Sequence, residues 1–184
     1  MFFDIETDPM RDFCHLHGVL ERRGGDNAAE QFDAFLAADL SATAEHNAFA
    51  AARTYLRDRP AAIAYFYSKY ERTIWRALQQ KCPDVCTADE IEALFHPARS
   101  VDLYYDVVQT TMWPTRDHSI KTLARFLGFQ GRDNNPSGAT SIEWFDQWER
   151  TRDPGARQRI IDYIEDDCRA TPVLLDGIRG LAAR

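Results

Sequence analysis

Phe2-Phe3-Asp4-Ile5-Glu6-Thr7 is the stretch on which the reading of this chain turns. Two aromatic residues followed by an acid, an aliphatic and a second acid suit a β-strand, in which residues i and i+2 share a face. Asp4 and Glu6 would then project together at the strand end, where a hard divalent cation takes oxygen ligands. The alternative is an acidic turn with no ligand at all, since so short a motif recurs by chance. Only Met1 precedes Phe2, so the first strand is expected to be unusually short. Either the chain is a fragment of a larger protein or pairing begins almost at its terminus.

A second pair, a phenol and a carboxylate, lies near the other end. Tyr163 and Asp167 are four residues apart in a helical stretch, which at about 3.6 residues per turn sets them roughly 40° apart on one face. Asp166, the rival acid, falls about 60° from Tyr163 on the same wheel. Asp162, Glu165, Asp166 and Asp167 also read as a solvated acidic face.

Between these ends strand and helix signals alternate within one domain. Phe13 to Leu20 reads as a strand closed by the turn signal Arg22-Arg23-Gly24-Gly25-Asp26. Ala28 to Asp39 is ambiguous. Ser41 to Arg57 is a helix capped at Ser41 or Thr43, with Phe49, Ala52 and Leu56 on one face. His46-Asn47-Ala48-Phe49 sits within it in good helical register, with no acid after the aromatic. Ala61 to Tyr67 suits a buried central strand, and Lys69 to Lys81 a helix with Tyr70, Ile74 and Leu78 in register. A small helix over Ala88 to Phe95 precedes a strand over Ser100 to Tyr105. Ser119 to Phe129 is a helix stopped by Gly128, and Gly131 to Ala139 a polar loop. Thr140 or Ser141 caps a helix to Trp148, and Asp153-Pro154 opens the last helix, which Pro172 should kink or divide.

Composition bounds the function. With 184 residues, 45% hydrophobic and 28% charged, the chain is an ordinary globular domain spanning 1–184 rather than a disordered one. No apolar run reaches the ~20 residues that span a bilayer, and acids follow Phe3 where a signal peptide needs an apolar core. A cytoplasmic setting with no membrane partner is expected. The net charge of −7 argues against a broad electrostatic grip on duplex nucleic acid, yet not against a nuclease, whose metal site is itself acidic. Cys82 and Cys86, with Cys14, His15, His17 or His96, offer a zinc alternative.

The stretches Phe3-Asp4-Ile5-Glu6-Thr7 and Tyr163-Ile164-Glu165-Asp166-Asp167-Cys168-Arg169-Ala170-Thr171 resemble the DEDD, or DnaQ-like, branch of the RNase H-like 3′–5′ exonucleases. The chain is most similar to the exonuclease domain that follows a RecB-type nuclease domain in some bacterial proteins. Tyr67-Ser68-Lys69-Tyr70-Glu71, Ser119-Ile120-Lys121 and Asp133 to Trp144 carry that likeness.

The resemblance implies an α/β fold, with an RNase H-like mixed sheet flanked by helices. It implies a metal-dependent 3′–5′ exonuclease acting on the 3′ end of single-stranded DNA or RNA, with a RecB-type nuclease domain as a partner. Two Mg²⁺ or Mn²⁺ ions roughly 3.5 to 4 Å apart would be held by carboxylates. Asp4 and Glu6 match the first motif, Tyr163 and Asp167 the third in its tyrosine form, and Glu71 stands where the second usually has Asp. Thr7, Tyr67 and Lys121 become substrate contacts.

Ser68-x-x-Glu71 is also a capping box, in which Glu71 returns to the Ser68 backbone. Arg125 and Arg132 join Lys121 as phosphate candidates. Tyr65, Phe66 and Trp75, like Trp144, Phe145 and Trp148, read as core. The competing class is a weakly catalytic nucleic-acid-binding module that works with a partner nuclease.

Overall fold

The computed structural model describes residues 1–25, 29–132 and 137–182. Among the described residues five strands, β1 (Phe2–Asp8), β2 (Phe13–Arg22), β3 (Glu30–Leu36), β4 (Ala64–Phe66) and β5 (Ser100–Asp102), form one sheet in the order β3-β2-β1-β4-β5. The β1–β2 and β2–β3 pairs are antiparallel, and β1–β4 and β4–β5 are parallel. This is the mixed α/β sheet that the resemblance implies. The helices are α1 (Ala42–Arg57), α2 (Tyr70–Lys81), α3 (Ala88–Leu94), α4 (Leu103–Asp106), α5 (Ile120–Phe126), α6 (Gly138–Thr151) and α7 (Pro154–Ala182).

The alternation along β1 divides the core. Phe3 and Ile5 pack with Phe49 of α1, Trp75 and Leu78 of α2 and Ile91 of α3. Phe2 belongs to the opposite cluster, with Leu123 of α5, Phe145 of α6 and Ile160 and Ile164 of α7. Asp4 and Glu6, in phase with Phe2, are thereby aimed at the α7 face. The register shifts between Glu6, opposite Leu16, and Thr7, opposite Cys14, so His15 is the extra residue of a bulge. Its Nε2 lies 3.2 Å from Ser141 Oγ.

Several boundaries differ from the sequence reading. β1 is a full seven residues, not a short strand, because pairing starts at Phe2 opposite Leu20. The ambiguous stretch before Asp39 holds the edge strand β3. β4 and β5 shrink to three residues each. In β5 this happens because the Asp102 carboxylate accepts the Tyr104 and Tyr105 N–H groups and turns the chain into α4. Ser137, not Thr140 or Ser141, caps α6 by accepting the Thr140 N–H, and the helix runs on to Thr151. Residues 133–136 of the expected polar loop, and Asp26 of the turn signal, lie outside the described residues.

Pro172 does not divide α7. Cys168 before it and Leu174 after it are both fully buried, so packing on the sheet holds the helix through the missing N–H. The α1 boundary is as read, with Ser41 Oγ accepting the Ala44 N–H. His46 on this helix faces outward to Asp84, at 2.7 Å.

Candidate metal centre

Asp4 stands opposite Gly18 in the β1–β2 register. A Cβ on Gly18 would meet Cys168 Sγ and Ile164 Cγ1 at 2.9 Å, so the bare glycine backbone lets α7 lie directly on the sheet. Tyr163 and Asp167, on the turns that carry Ile164 and Cys168, arrive beside the β1 carboxylates. One oxygen from each of Asp4, Glu6 and Asp167 lies within 4.8 Å of the others. Among the described residues no other group of three His, Cys, Asp or Glu converges in this way. Cys82 and Cys86 accordingly gain no third ligand there and pack as apolar side chains.

Glu71 approaches from the first turn of α2, beside the group of three but outside its 4.8 Å circle. It is buried, Oε2 has no hydrogen-bond partner, and it lines a cleft of about 120 Å³ with Asp4, Glu6, Tyr67 and Asp167. The capping box is not formed. Ser68 adopts φ 81°, and its N–H donates to Asp102 Oδ1 at 2.9 Å, so the amide that Glu71 would cap is already taken. Lys69 occupies the N-cap and makes no side-chain cap bond.

Crowding makes these acids weak. Burial and then the Asp167 charge push Asp4 up to about 7. Burial and the Asp4 charge raise Glu6 and Glu71 well above the carboxylate range, and burial raises Asp167 against the opposing Lys121 ammonium. Convergent oxygen donors, one of them orphaned, with charges that burial disfavours, fit a hard divalent cation.

Lys121 enters from the first turn of α5, which Ser119 caps. Its Nζ lies 3.1 Å from Asp167 Oδ2, donates to the Tyr163 hydroxyl at 2.6 Å and sits 4.2 Å over the Tyr163 ring. Burial and the Glu6 charge raise the phenol further above its usual range, and the ring packs edge-on to Trp144. Thr7 Oγ1 and Tyr70 OH are 2.6 Å apart at the end of β1. Tyr67 lines the cleft, and its hydroxyl donates to the His118 carbonyl just ahead of α5.

Not every candidate meets the cluster. Asp166 accepts the Arg132 N–H at 2.6 Å, and the Arg132 guanidinium is held by Glu165 at 2.8 Å and Asp162 at 3.3 Å. Arg132 is therefore a tether between α7 and the segment that follows α5 rather than an open phosphate contact. Tyr65 stacks on Phe2, Phe66 packs on Phe95, and Trp75 is fully buried, all as core. Gly18 and Asp102, which place the acids, escape the sequence reading as site residues. Of these only Asp102 carries a local sign, a helix cap ahead of Leu-Tyr-Tyr.

The RNase_H_2 family model, of the RNase_H superfamily, matches residues 1–178. No curated protein and no solved structure matches the chain.

Proposed function

Because the chain belongs to the RNase H superfamily, we propose that the carboxylate cleft is the active site of a metal-dependent 3′–5′ exonuclease of the DEDD type, acting on single-stranded nucleic acid. The observation that carries this reading is the meeting of Asp4, Glu6 and Asp167 within 4.8 Å, with Glu71 lining the same cleft and Tyr163 joined to Asp167 through Lys121.

Asp4, Glu6, Glu71 and Asp167 are the residues to hold Mg²⁺ or Mn²⁺. Two such ions supply the charge that binds the scissile phosphate, activates water and stabilises the leaving 3′ oxygen. The rest falls to side chains. Tyr163 keeps its proton, because burial and neighbouring carboxylates oppose its ionisation, so its hydroxyl orients the attacking water rather than deprotonating it. Lys121, whose ammonium already bridges Tyr163 and Asp167, offers a point charge to a non-bridging phosphate oxygen. Tyr67 lines the cleft where the terminal nucleotide would sit, and its hydrogen bond to His118 holds that wall in place. Thr7, bonded to Tyr70, lines a separate cavity beside α2 and not this cleft.

The test is a pair of labelled single strands incubated with Mg²⁺, Mn²⁺ or chelator. A 5′ label should give a progressively shortening ladder, and a 3′ label should appear at once as mononucleotide. Internal cuts would overturn the polarity. Binding without cutting under either metal would leave a nucleic-acid-binding module.

A further inference from the structure

The turn between β4 and α2 separates two cavities. Tyr67 and Glu71 line the carboxylate cleft, whereas Phe66, Lys69 and Arg72 line a second cavity of about 390 Å³. The alternation is dictated by the chain: β4 sends Phe66 to one side and Tyr67 to the other, and successive residues of the first turn of α2 diverge by about 100°. The second cavity thus begins next door to the proposed site and shares a wall with it.

Its chemistry differs from that of the cleft. Arg76, one turn further along α2, is paired with Glu92 at 2.6 Å. Lys69 and Arg72 have no carboxylate within ion-pair distance among the described residues, although Arg72 is half-buried. Two acids do line the cavity, Asp102 and Asp106. Both are engaged by backbone: Asp102 Oδ1 accepts the Ser68, Tyr104 and Tyr105 N–H groups, and Asp106 Oδ2 accepts the Asp102 N–H. Lys69 and Arg72 are the charged donors of this lining, set beside two carboxylates tied to the backbone through one oxygen each. Beside them Tyr105 is 41% exposed, with its ring braced edge-on against Tyr104 at 5.0 Å.

Free cations next to a fixed, solvent-facing aromatic ring are what a single-stranded nucleic acid engages, its phosphate on the charges and its base on the ring. We propose that Lys69, Arg72 and Tyr105 form an upstream subsite that holds the strand on the 5′ side of the bond to be cut. The subsite rests on the exonuclease reading and adds to it a second point of grip. In a chain of net charge −7, the Lys69 ammonium and the Arg72 guanidinium give substrate phosphates a place to land apart from the acidic centre, beside the backbone-held carboxylates of Asp102 and Asp106.

The experiment is fluorescence anisotropy of a 5′-labelled oligothymidylate with hydrolysis-resistant linkages, measured in Mg²⁺ over a series of salt concentrations. Variants are Lys69→Ala/Arg72→Ala and Tyr105→Ala, each checked for an unchanged melting temperature. The double variant should flatten the dependence of log K on log salt by about 1.4, since each lost phosphate contact removes about 0.7 on a single strand. Tyr105→Ala should raise Kd by roughly 5- to 160-fold, the range of one base–aromatic stack. Wild-type slope and affinity in both variants would overturn the subsite while leaving the exonuclease reading standing. Wild-type protein that binds no strand at any salt would overturn both.

Discussion

Gly18 and Cys168 meet so closely across the interface between β2 and α7 that a methyl group on Gly18 would lie 2.9 Å from Cys168 Sγ. This contact sets the distance between the two halves of the acidic cluster, because Asp4 pairs with Gly18 and Asp167 directly precedes Cys168. Gly18→Ala should overpack the interface at a cost of about 1–3 kcal/mol. It should also weaken Mn²⁺ binding, because α7 must lift. Urea unfolding and calorimetric titration measure the two effects; intact Mn²⁺ affinity in a folded variant would show that the spacing is not critical.

Glu71→Gln separates ligand from cap. With the Ser68 amide bonded to Asp102, the substitution should leave the metal-free melting temperature unchanged or higher, as one buried charge disappears from a repelling set. The stabilisation by Mn²⁺, about 2.7 kcal/mol when the ion stands at 100 times its Kd, should shrink. A variant that loses metal-free stability yet responds to Mn²⁺ like the wild type would return Glu71 to a purely structural role.

Without metal, the protein should lose stability as pH rises. Asp4 moves from the ordinary 3.8 to about 7 on folding, and Glu6, Glu71 and Asp167 shift in the same direction. Between those values the folded state holds more protons than the unfolded chain, so unfolding free energy falls with increasing pH. The contribution is fully present below about 4 and gone above about 7. Asp4→Asn should flatten the profile, and Mn²⁺ affinity should rise through the same window as protons leave. Denaturant midpoints in chelator, read against pH, check this; a wild-type midpoint that climbs through the window is the contrary result.

Asp4→Asn and Asp167→Asn should each abolish hydrolysis while preserving the fold, since shape is kept and one ligand charge is lost. Tyr163→Phe should be milder, within the ~10²- to 10⁴-fold typical of one positioned proton-handling group. Single-turnover rates on a labelled strand order the three. Loss in Tyr163→Phe equal to that in Asp167→Asn would make the hydroxyl indispensable rather than orienting.

The sequence alone determined whatever depends on the period of a single element. The two-residue repeat of β1 puts Asp4 and Glu6 on one face, the four-residue spacing puts Tyr163 and Asp167 on another, and Ser41 marks where α1 begins. Such features are local, and dihedral geometry transmits them directly from residue order. Tertiary structure decided the rest. Whether Glu71 caps a helix or enters the cleft turns on Asp102, which takes the Ser68 amide from another strand. Whether Arg132 meets solvent or α7 turns on Asp162 and Glu165. The lengths of β4 and β5, and the passage of α7 through Pro172, follow from neighbours that no short window contains. The meeting of residue 4 with residue 167 needs the strand register, the bare backbone at Gly18 and the close seat of α7 together. Each of these is a contact between distant segments, whose free energy exists only once the chain has packed.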